Sequence, residues 1–353
     1  MIPLIYPGSA TDFTTLGIGS VPEALSCLVD EVRNQSNTLA LTAPLDAIHR
    51  SELVEGNLII ADTNERLKRQ PYEIVHTEEN LSSGRIIVNA QHAAYRLRYS
   101  VTKPFTAAGA SAAMTWLNDH SLAHYIEPNA FTFETDLTGS ASATYGYVTV
   151  WDLLHGTEGS LIDTFGGVLE MDGFTVRLLQ RRGQDNGVIV RYGKNLKELE
   201  RTIDSGDVFD GVFPIFTSGG VVQRVGTRIA ESEYRSRYSY QRTRVVDFSG
   251  QFQTTPTAAQ LDAAADAMVA GQGLPEATIT GEFVPLSATL EYADLALLEP
   301  VAMDDTIRFV VPSMGIDIST RVVATHWDVL RDRYQSVEVG DVRQTIRQAI
   351  AAI

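Results

Sequence analysis

Through residues 1–90 the apolar positions come in short runs closed off by Gly, Asn, Ser or Pro. Ala24–Asp30 and Thr38–Thr42 alternate or run apolar, Gly56–Asp62 is a brief β-branched run, and Pro71–His76 and Gly84–Ala90 repeat it. Runs of this length between turn residues predict strands, and their succession predicts a barrel or a sandwich. The pattern then changes. Gln91–Val101 and Ala107–Asn118 are Ala-rich with helical spacing, so that Ala112, Trp116 and Leu117 share one face. Thr149–Phe165 is predicted as another amphipathic helix despite Gly156 and Gly159, and Phe131–Thr135 as a strand between them. This middle piece is α+β and reads as an insertion.

After Gly166-Gly167 the strand pattern returns over Val168–Met171, Phe174–Gln180, Gly187–Tyr192 and Leu196–Ile203. Asp172-Gly173 is the strongest hairpin signal of the chain, because a type I′ turn needs positive φ at both central residues. Phe209–Phe216, the turn Ser218-Gly219-Gly220 and Arg244–Phe248 follow, and Thr257–Ala270 is a helix with Thr257 at its start and Gly271 past its end. Thr278–Leu286, Thr289–Tyr292, Thr306–Val311, Ile316–Trp327 and Ser336–Val339 are again short strands, and Gln344–Ile353 is predicted as a C-terminal helix.

Length sets the domain count. A chain of 353 residues exceeds one ordinary core and predicts two or three domains. With 44% hydrophobic and 20% charged residues it is an ordinary globular composition. The formal net charge of −16 argues against a surface that embraces nucleic acid as a whole, since such surfaces neutralise phosphates. The single cysteine, Cys27, lies among apolar residues and reads as a buried, inert thiol; it excludes a disulfide framework. The first residues, MIPLIYPGSA, have no basic segment followed by a long apolar run, so no signal peptide is expected. No apolar run approaches the roughly 20 residues that span a bilayer. The expectation is a protein made in a cytoplasm that inserts into no membrane.

Candidate chemistry is sparse. His120 and His124 stand at i and i+4, the spacing of two ligands on one helical face, but no Glu follows His120 and no metal is expected. His49, His76, His92, His155 and His326 are scattered, and a Cys27–His49 pair has no supporting signature. There is no Gly-x-Ser-x-Gly elbow, Gly17-Ile-Gly19 lacks the third glycine of a dinucleotide fingerprint, and Glu170 with Asp172 is one carboxylate pair among 44 acids. No catalytic, metal or cofactor residue is therefore predicted. Residues 174–196 hold Arg177, Arg181, Arg182, Arg191 and Lys194 against the single acid Asp185, with Phe174 and Tyr192 able to stack on bases. Yet the arginines alternate with Val176, Leu178 and Val190, as on the wet face of a strand, and such cations are commonly solvated or paired.

The order of residues from Arg177 to Leu196, RLLQRRGQDNGVIVRYGKNL, continuing Lys197-Glu-Leu-Glu-Arg201, resembles the N-terminal hub region of siphophage and prophage tail-associated, tail-endopeptidase-type proteins. Leu298-Glu-Pro-Val301, Asp304-Asp-Thr-Ile307 and Arg333-Tyr-Gln-Ser-Val-Glu-Val-Gly340 are similar to the segments that close this region in the family; Asp304 stands where glycine is usual and Val339 where leucine is. The resemblance covers most of residues 90–341.

What the resemblance implies is a mainly β fold with α+β insertions: two β-barrel domains and two smaller α+β domains, as in the baseplate hub of contractile-tailed phages. On that plan residues 1–95 form a first barrel, completed by about 195–228; 96–194 are an inserted α+β domain; 229–288 are a small α+β segment around helix 257–270; 289–341 supply second-barrel strands; and 342–353 are a helical tail. The implied function is structural: a homotrimeric ring of the virion's tail tip that meets the distal tail protein, the tail tube, the tape-measure protein and tip or receptor-binding proteins, with double-stranded DNA only in transit. Arg177, Arg181, Arg182, Arg191, Tyr192, Lys194, Arg333 and Tyr334 are then expected as subunit-interface or scaffold residues. Many relatives carry a peptidoglycan hydrolase beyond the hub, and the dozen or so residues after Gly340 leave no room for one within these 353. The alternatives are a peptidoglycan-degrading tail endopeptidase and the hub of a phage-tail-like bacteriocin or injection particle.

Overall fold

The computed structural model describes residues 1–120, 131–155, 159–191, 196–252, 254–283, 301–311 and 316–340. They form two compact units, Met1–Glu200 with Ile279–Gly340, and Arg201–Thr278. The first begins with β1 (Leu4–Tyr6), β2 (Gly19–Ser20), β3 (Ser26–Val32), β4 (Ser36–Pro44), β5 (Leu58–Ala61), β6 (Gln70–Asn80) and β7 (Arg85–His92). Along β3 and β4 every second residue is buried, so Cys27, Val29, Leu39 and Leu41 point to one core. Asn34, at a φ of 54°, turns the chain between them, a left-handed conformation that Asn tolerates better than most residues.

The insertion follows. It comprises β8 (Phe105–Ala108), α1 (Ala110–His120), β9 (Thr132–Thr135), β10 (Ser142–Tyr145), α2 (Val150–Leu154), α3 (Leu161–Phe165), β11 (Val168–Asp172) and β12 (Thr175–Leu179). Its own core gathers Leu117, Phe133, Trp151, Leu154, Leu161, Met171 and Leu178. Three expectations are corrected here. Gln91–Val101 is no α-helix: β7 runs to His92, and a 3-10 helix spans Ala93–Tyr99. Ala107 and Ala108 belong to β8, and α1 starts after Gly109, where an added Cβ would lie 2.1 Å from the Gly139 carbonyl oxygen. Thr149–Phe165 is two helices, because Thr149 and Ser160 each cap a separate first turn. The hairpin is present but its turn lies one residue on: β11 and β12 pair antiparallel from Val168↔Leu179 to Asp172↔Thr175, so the loop is Gly173-Phe174, of which only Gly173, at a φ of 58°, is left-handed; β9 runs parallel to β12.

From β13 (Val188–Arg191) and β14 (Leu196–Asp204) the chain enters the second unit. There β15 (Gly211–Ser218) is central, flanked antiparallel by β16 (Val221–Val225) and β17 (Ala230–Glu231) and parallel by β18 (Thr243–Asp247). Helix α4 (Ala258–Val269) lays Leu261, Ala265 and Val269 on Val212, Phe216 and Phe248. Thr257 and Gln260 close a reciprocal capping box at its start, the boundary the sequence predicts.

The chain returns through β19 (Glu276–Phe283), β20 (Thr306–Val311), β21 (Ile316–Asp328) and β22 (Arg333–Gly340). These strands join the sheet begun at the N-terminus. Its 13 strands run β14-β19-β22-β21-β3-β4-β7-β6-β5-β1-β2, with β20 on β21 and β13 on β20. The strands of the 289–341 region, expected as second-barrel strands, pair with β3, from Ala324↔Val32 to Asp328↔Leu28, and share one core with it through Ile307, Val322, Trp327 and Val337. Local periodicity marks which face of a strand is buried; it carries nothing about the partner strand. The predicted Thr289–Tyr292 strand and the Gln344–Ile353 helix lie outside the described residues.

Cys27 is fully buried in this core, and burial pushes its thiol far above the usual range. A thiol-reactive aromatic disulfide should therefore leave the native protein unlabelled at neutral pH and react once denaturant unfolds it. Labelling at the rate of a free thiol would contradict the placement.

Candidate functional site

The densest set of charged side chains lies in the first unit, where residues 181–185 thread between β3, β11 and the turn before β20. Arg182, at 5% side-chain exposure, donates from Nη1 to Glu31 Oε1 at 2.6 Å and from Nε to Glu170 Oε2 at 3.3 Å. Glu31 occupies a core-facing position of β3, and Asn64 Nδ2 donates to its other oxygen at 3.3 Å. Burial alone would lower the Arg182 pKa, but Glu31 and Glu170 outweigh it and raise the value above the ordinary one. The guanidinium is therefore a permanent buried charge, neutralised by two carboxylates.

Asp304 and Asp305 complete the set. The Arg182 backbone N–H donates to Asp304 Oδ2 at 3.2 Å, Gln184 N–H to Asp305 Oδ1 at 2.8 Å, and Thr306 N–H to the Gln184 carbonyl at 2.9 Å. Arg66 holds Asp305 bidentately at 2.9 and 3.1 Å. Arg33 Nε sits 3.2 Å from the fully buried Asp304 Oδ1 but too far off axis for a hydrogen bond, so that contact is purely Coulombic. Asp304 has a φ of 64°, in the left-handed region that favours glycine. A Cβ on Gly183 would lie 2.1 Å from the Asp304 carbonyl carbon and the Asp305 nitrogen, so only glycine allows the two segments to touch.

Beside this junction, Arg177 on β12 contacts Glu134 at 2.8 Å, Glu170 at 3.0 Å and Asp172 at 2.9 Å, all within its own chain. Burial would raise the Asp172 pKa, yet hydrogen bonds from Arg177 and Gln70 hold it below the usual range. Gln70 also accepts from Gly173 N–H at 2.6 Å and contacts the buried His92, whose pKa burial depresses to about 3. The hairpin turn is thereby fixed to β6 and β7. Asn34 fixes its other end, donating to Gly167 O at 3.0 Å and accepting from Leu169 N–H at 2.8 Å.

Of the predicted residues, Arg177, Arg181 and Arg182 belong to this region, with the Arg181 guanidinium hydrogen-bonded to Thr306 Oγ1. Arg191 pairs by its backbone opposite Val310, while Tyr192 and Lys194 lie outside the described residues. Arg333 is half-buried opposite Asp328. Tyr334 is in the core of its own chain, edge-on to Trp327 at 4.8 Å with its hydroxyl donating to Val301 O. Sequence reading missed Glu31, Asp305, Arg66 and the role of Gly183. The available signal was a glutamate at a buried phase of an alternating strand. His124 lies outside the described residues, and among the described ones no group of three His, Cys, Asp or Glu is arranged to hold a metal. No described helix is long and apolar enough to cross a membrane.

A second charged set lies across three strands. His326 on β21 meets Asp30 on β3 at 2.5 Å and Glu338 on β22 at 3.5 Å. The hydrogen bond with Asp30 is the main cause of a raised His326 pKa.

The comparisons with known proteins fit this geometry. Residues 184–350 match the family described as prophage endopeptidase tail, a span that starts inside the arginine-rich segment and takes in the Asp304-Asp305 turn. The fold is similar end to end to three solved tail proteins. The prophage tail protein gp18 of Listeria monocytogenes EGD-e has 13% identity and a TM-score of 0.56, over 99% of this chain and 98% of that one. The tail protein of Neisseria meningitidis MC58 has 11% identity and a TM-score of 0.57, over 98% of each chain. The 43 kDa tail protein of prophage MuSo2 from Shewanella oneidensis has 10% identity and a TM-score of 0.58, over 96% and 98%. At such identities the likeness is one of fold. No curated protein matches the sequence. The family match and the fold together bear out the resemblance to prophage tail-associated proteins read from residues 177–201 and 298–340.

Two outcomes follow from the charge geometry. Removing both carboxylates, Glu31→Ala with Glu170→Ala, strands the Arg182 guanidinium in the core and should lower unfolding free energy by about 3–5 kcal/mol, read by denaturant titration; a loss below about 1 kcal/mol, the range of surface pairs, would contradict the buried pairing. Because the folded pKa of His326 is raised, its contribution is complete below the unfolded value of about 6.5 and is lost as pH rises through the folded value. The melting temperature should therefore fall as pH rises above about 6.5, and His326→Gln should flatten that fall. An unchanged slope in the variant would contradict it.

Proposed function

We propose that the chain is a structural hub of a phage tail tip. Three copies form a ring that continues the tail tube and distal tail protein on one side and carries the tip or receptor-binding proteins on the other. The tape-measure protein ends against it, and double-stranded DNA crosses it during infection. The observation that carries this reading is the coincidence of the family match over 184–350 with end-to-end fold likeness to three prophage tail proteins. The charge network supports it: the arginines of the 177–182 segment hold the chain's own segments in register, as a load-transmitting ring component needs. The net charge of −16 suits a bore that must let phosphates pass without binding them. No cofactor enters this account.

A second reading is favoured by the family's own description, which names an endopeptidase. On that reading the chain, or a longer protein that contains it, cleaves peptidoglycan peptides. The hub of a bacteriocin or injection particle would use the same residues as a phage hub, and neighbouring genes separate those two.

Immunogold labelling of intact particles should place the chain at the tail tip, with no peptidoglycan clearing by the purified 353 residues on a zymogram. Label along the tube or on the capsid would contradict the hub, and clearing abolished by one point substitution would favour the enzyme.

A further inference from the structure

Within the second unit, the loop after β14 and the head of β18 enclose an open cleft of about 650 Å³, lined by Ser205, Asp207, Phe209, Tyr240, Arg242 and Arg244 among others. That volume lies in the range of small-ligand sites, roughly 300–1,000 Å³. The two walls are tied together by their main chains. Arg242 N–H donates to Oδ1 of the buried Asp210 at 2.7 Å, and Asp210 N–H to the Arg242 carbonyl at 3.0 Å.

Both guanidiniums of the cleft are held without an acid. Arg242 stacks on Tyr238 at 4.4 Å and on Tyr240 at 5.5 Å, and its Nη1 donates to the Ser205 carbonyl at 2.9 Å. Arg244 lies over Phe209 at 4.6 Å, and its Nη2 donates to the Asp207 carbonyl at 3.4 Å. Asp207 thus gives its main chain and not its carboxylate to Arg244, while Gln241 turns its amide to Glu231 at 2.9 Å. Among the described residues neither arginine forms an ion pair, whereas Arg177 holds three carboxylates and Arg182 two. Arg242 is half-buried, and its Nε–H is buried with no acceptor. Its charge is partly withdrawn from water and lacks a counter-charge, a costly state that an anion in the cleft relieves.

The donors say which anion fits. A planar guanidinium offers parallel N–H groups that match the two oxygens of a carboxylate. Phosphate could accept them too, but the two arginines and Asp207 leave the cleft a charge near +1, which suits a monoanion better than a dianion. The net charge of −16 opposes any anion at long range, yet beyond about 8–10 Å that field is screened and the guanidiniums dominate. Phe209 and the Tyr240 ring, 61% exposed, set an apolar wall beside the cations.

We propose that this cleft binds a carboxylate carried next to an aromatic or aliphatic group, with Arg242 and Arg244 as its donors and Tyr240 as its wall. A peptide C-terminus and a free aromatic acid both present that chemistry.

Isothermal titration calorimetry on the intact chain tests it with N-acetyl-Ala-Ala-Phe, benzoate and the neutral amide of each. At least one acid should bind about tenfold or more tightly than its amide. A peptide that binds more tightly than benzoate identifies the C-terminus as the source, and the reverse identifies the free acid. Arg242→Lys, which keeps the charge and loses the planar fork, should weaken that binding about tenfold, and Tyr240→Ala should weaken it with an unchanged melting temperature. Acids that bind no better than their amides overturn the site, as do variants that bind like wild type or inorganic phosphate that binds more tightly than either acid. Should Arg242→Lys fail to fold, hydrogen exchange on wild type saturated with the tighter acid decides. Slower exchange at 205–209 and 240–244 supports the site, and protection confined to other segments overturns it.

Discussion

The first unit depends on one buried cation. Arg182 brings a guanidinium into the core beside Glu31 and Glu170, and its backbone, with that of Gln184, reads the two carboxylates of Asp304 and Asp305. Taking charges out of water costs several kcal/mol per ion unless each is paired and hydrogen-bonded. The segments bearing these groups are therefore bound to one arrangement. That arrangement joins an N-terminal strand, the end of the insertion and the return strands, which lie far apart in sequence. A hydrophobic junction of similar volume could be equally stable, but it would not specify which peptide meets which. Gly183 adds a steric condition, since any side chain there would collide with the Asp304–Asp305 peptide.

Two short motifs are explained together by this contact. Arg181-Arg182-Gly183 and Asp304-Asp305 are about 120 positions apart, yet they form the two sides of one seam. The likeness to tail-associated proteins was carried by these same stretches, and the family match spans from the edge of one to beyond the other. The arginines that read as a nucleic-acid surface or a subunit contact are in large part occupied by acids of their own chain. Other guanidiniums stack on aromatic rings, Arg98 on Tyr95, Arg242 on Tyr238 and Arg244 on Phe209.

Much of the fold was legible in the residues, and what was not has definite causes. The alternation of Cys27, Val29, Leu39 and Leu41 gave the buried face of β3 and β4, the Asp172-Gly173 pair gave its hairpin, and Thr257 with Gln260 gave the start of α4. Sheet membership was hidden, because β21 has the same period whichever strand it borders. The division of Thr149–Phe165 was hidden because a second capping serine, Ser160, competes with continuation only once the chain bends. Of the charged site the arginines were visible and their partners were not. Glu31 carried the one usable signal, an acid where the strand's phase demanded an apolar residue, and it gained meaning only with Arg182 151 positions away.

The central claim is that this chain is a ring-forming hub. A cryo-electron reconstruction of the assembled protein tests it most directly. The account predicts a threefold ring with an acidic bore. A particle without threefold symmetry, or one whose channel is lined by arginines, would contradict it.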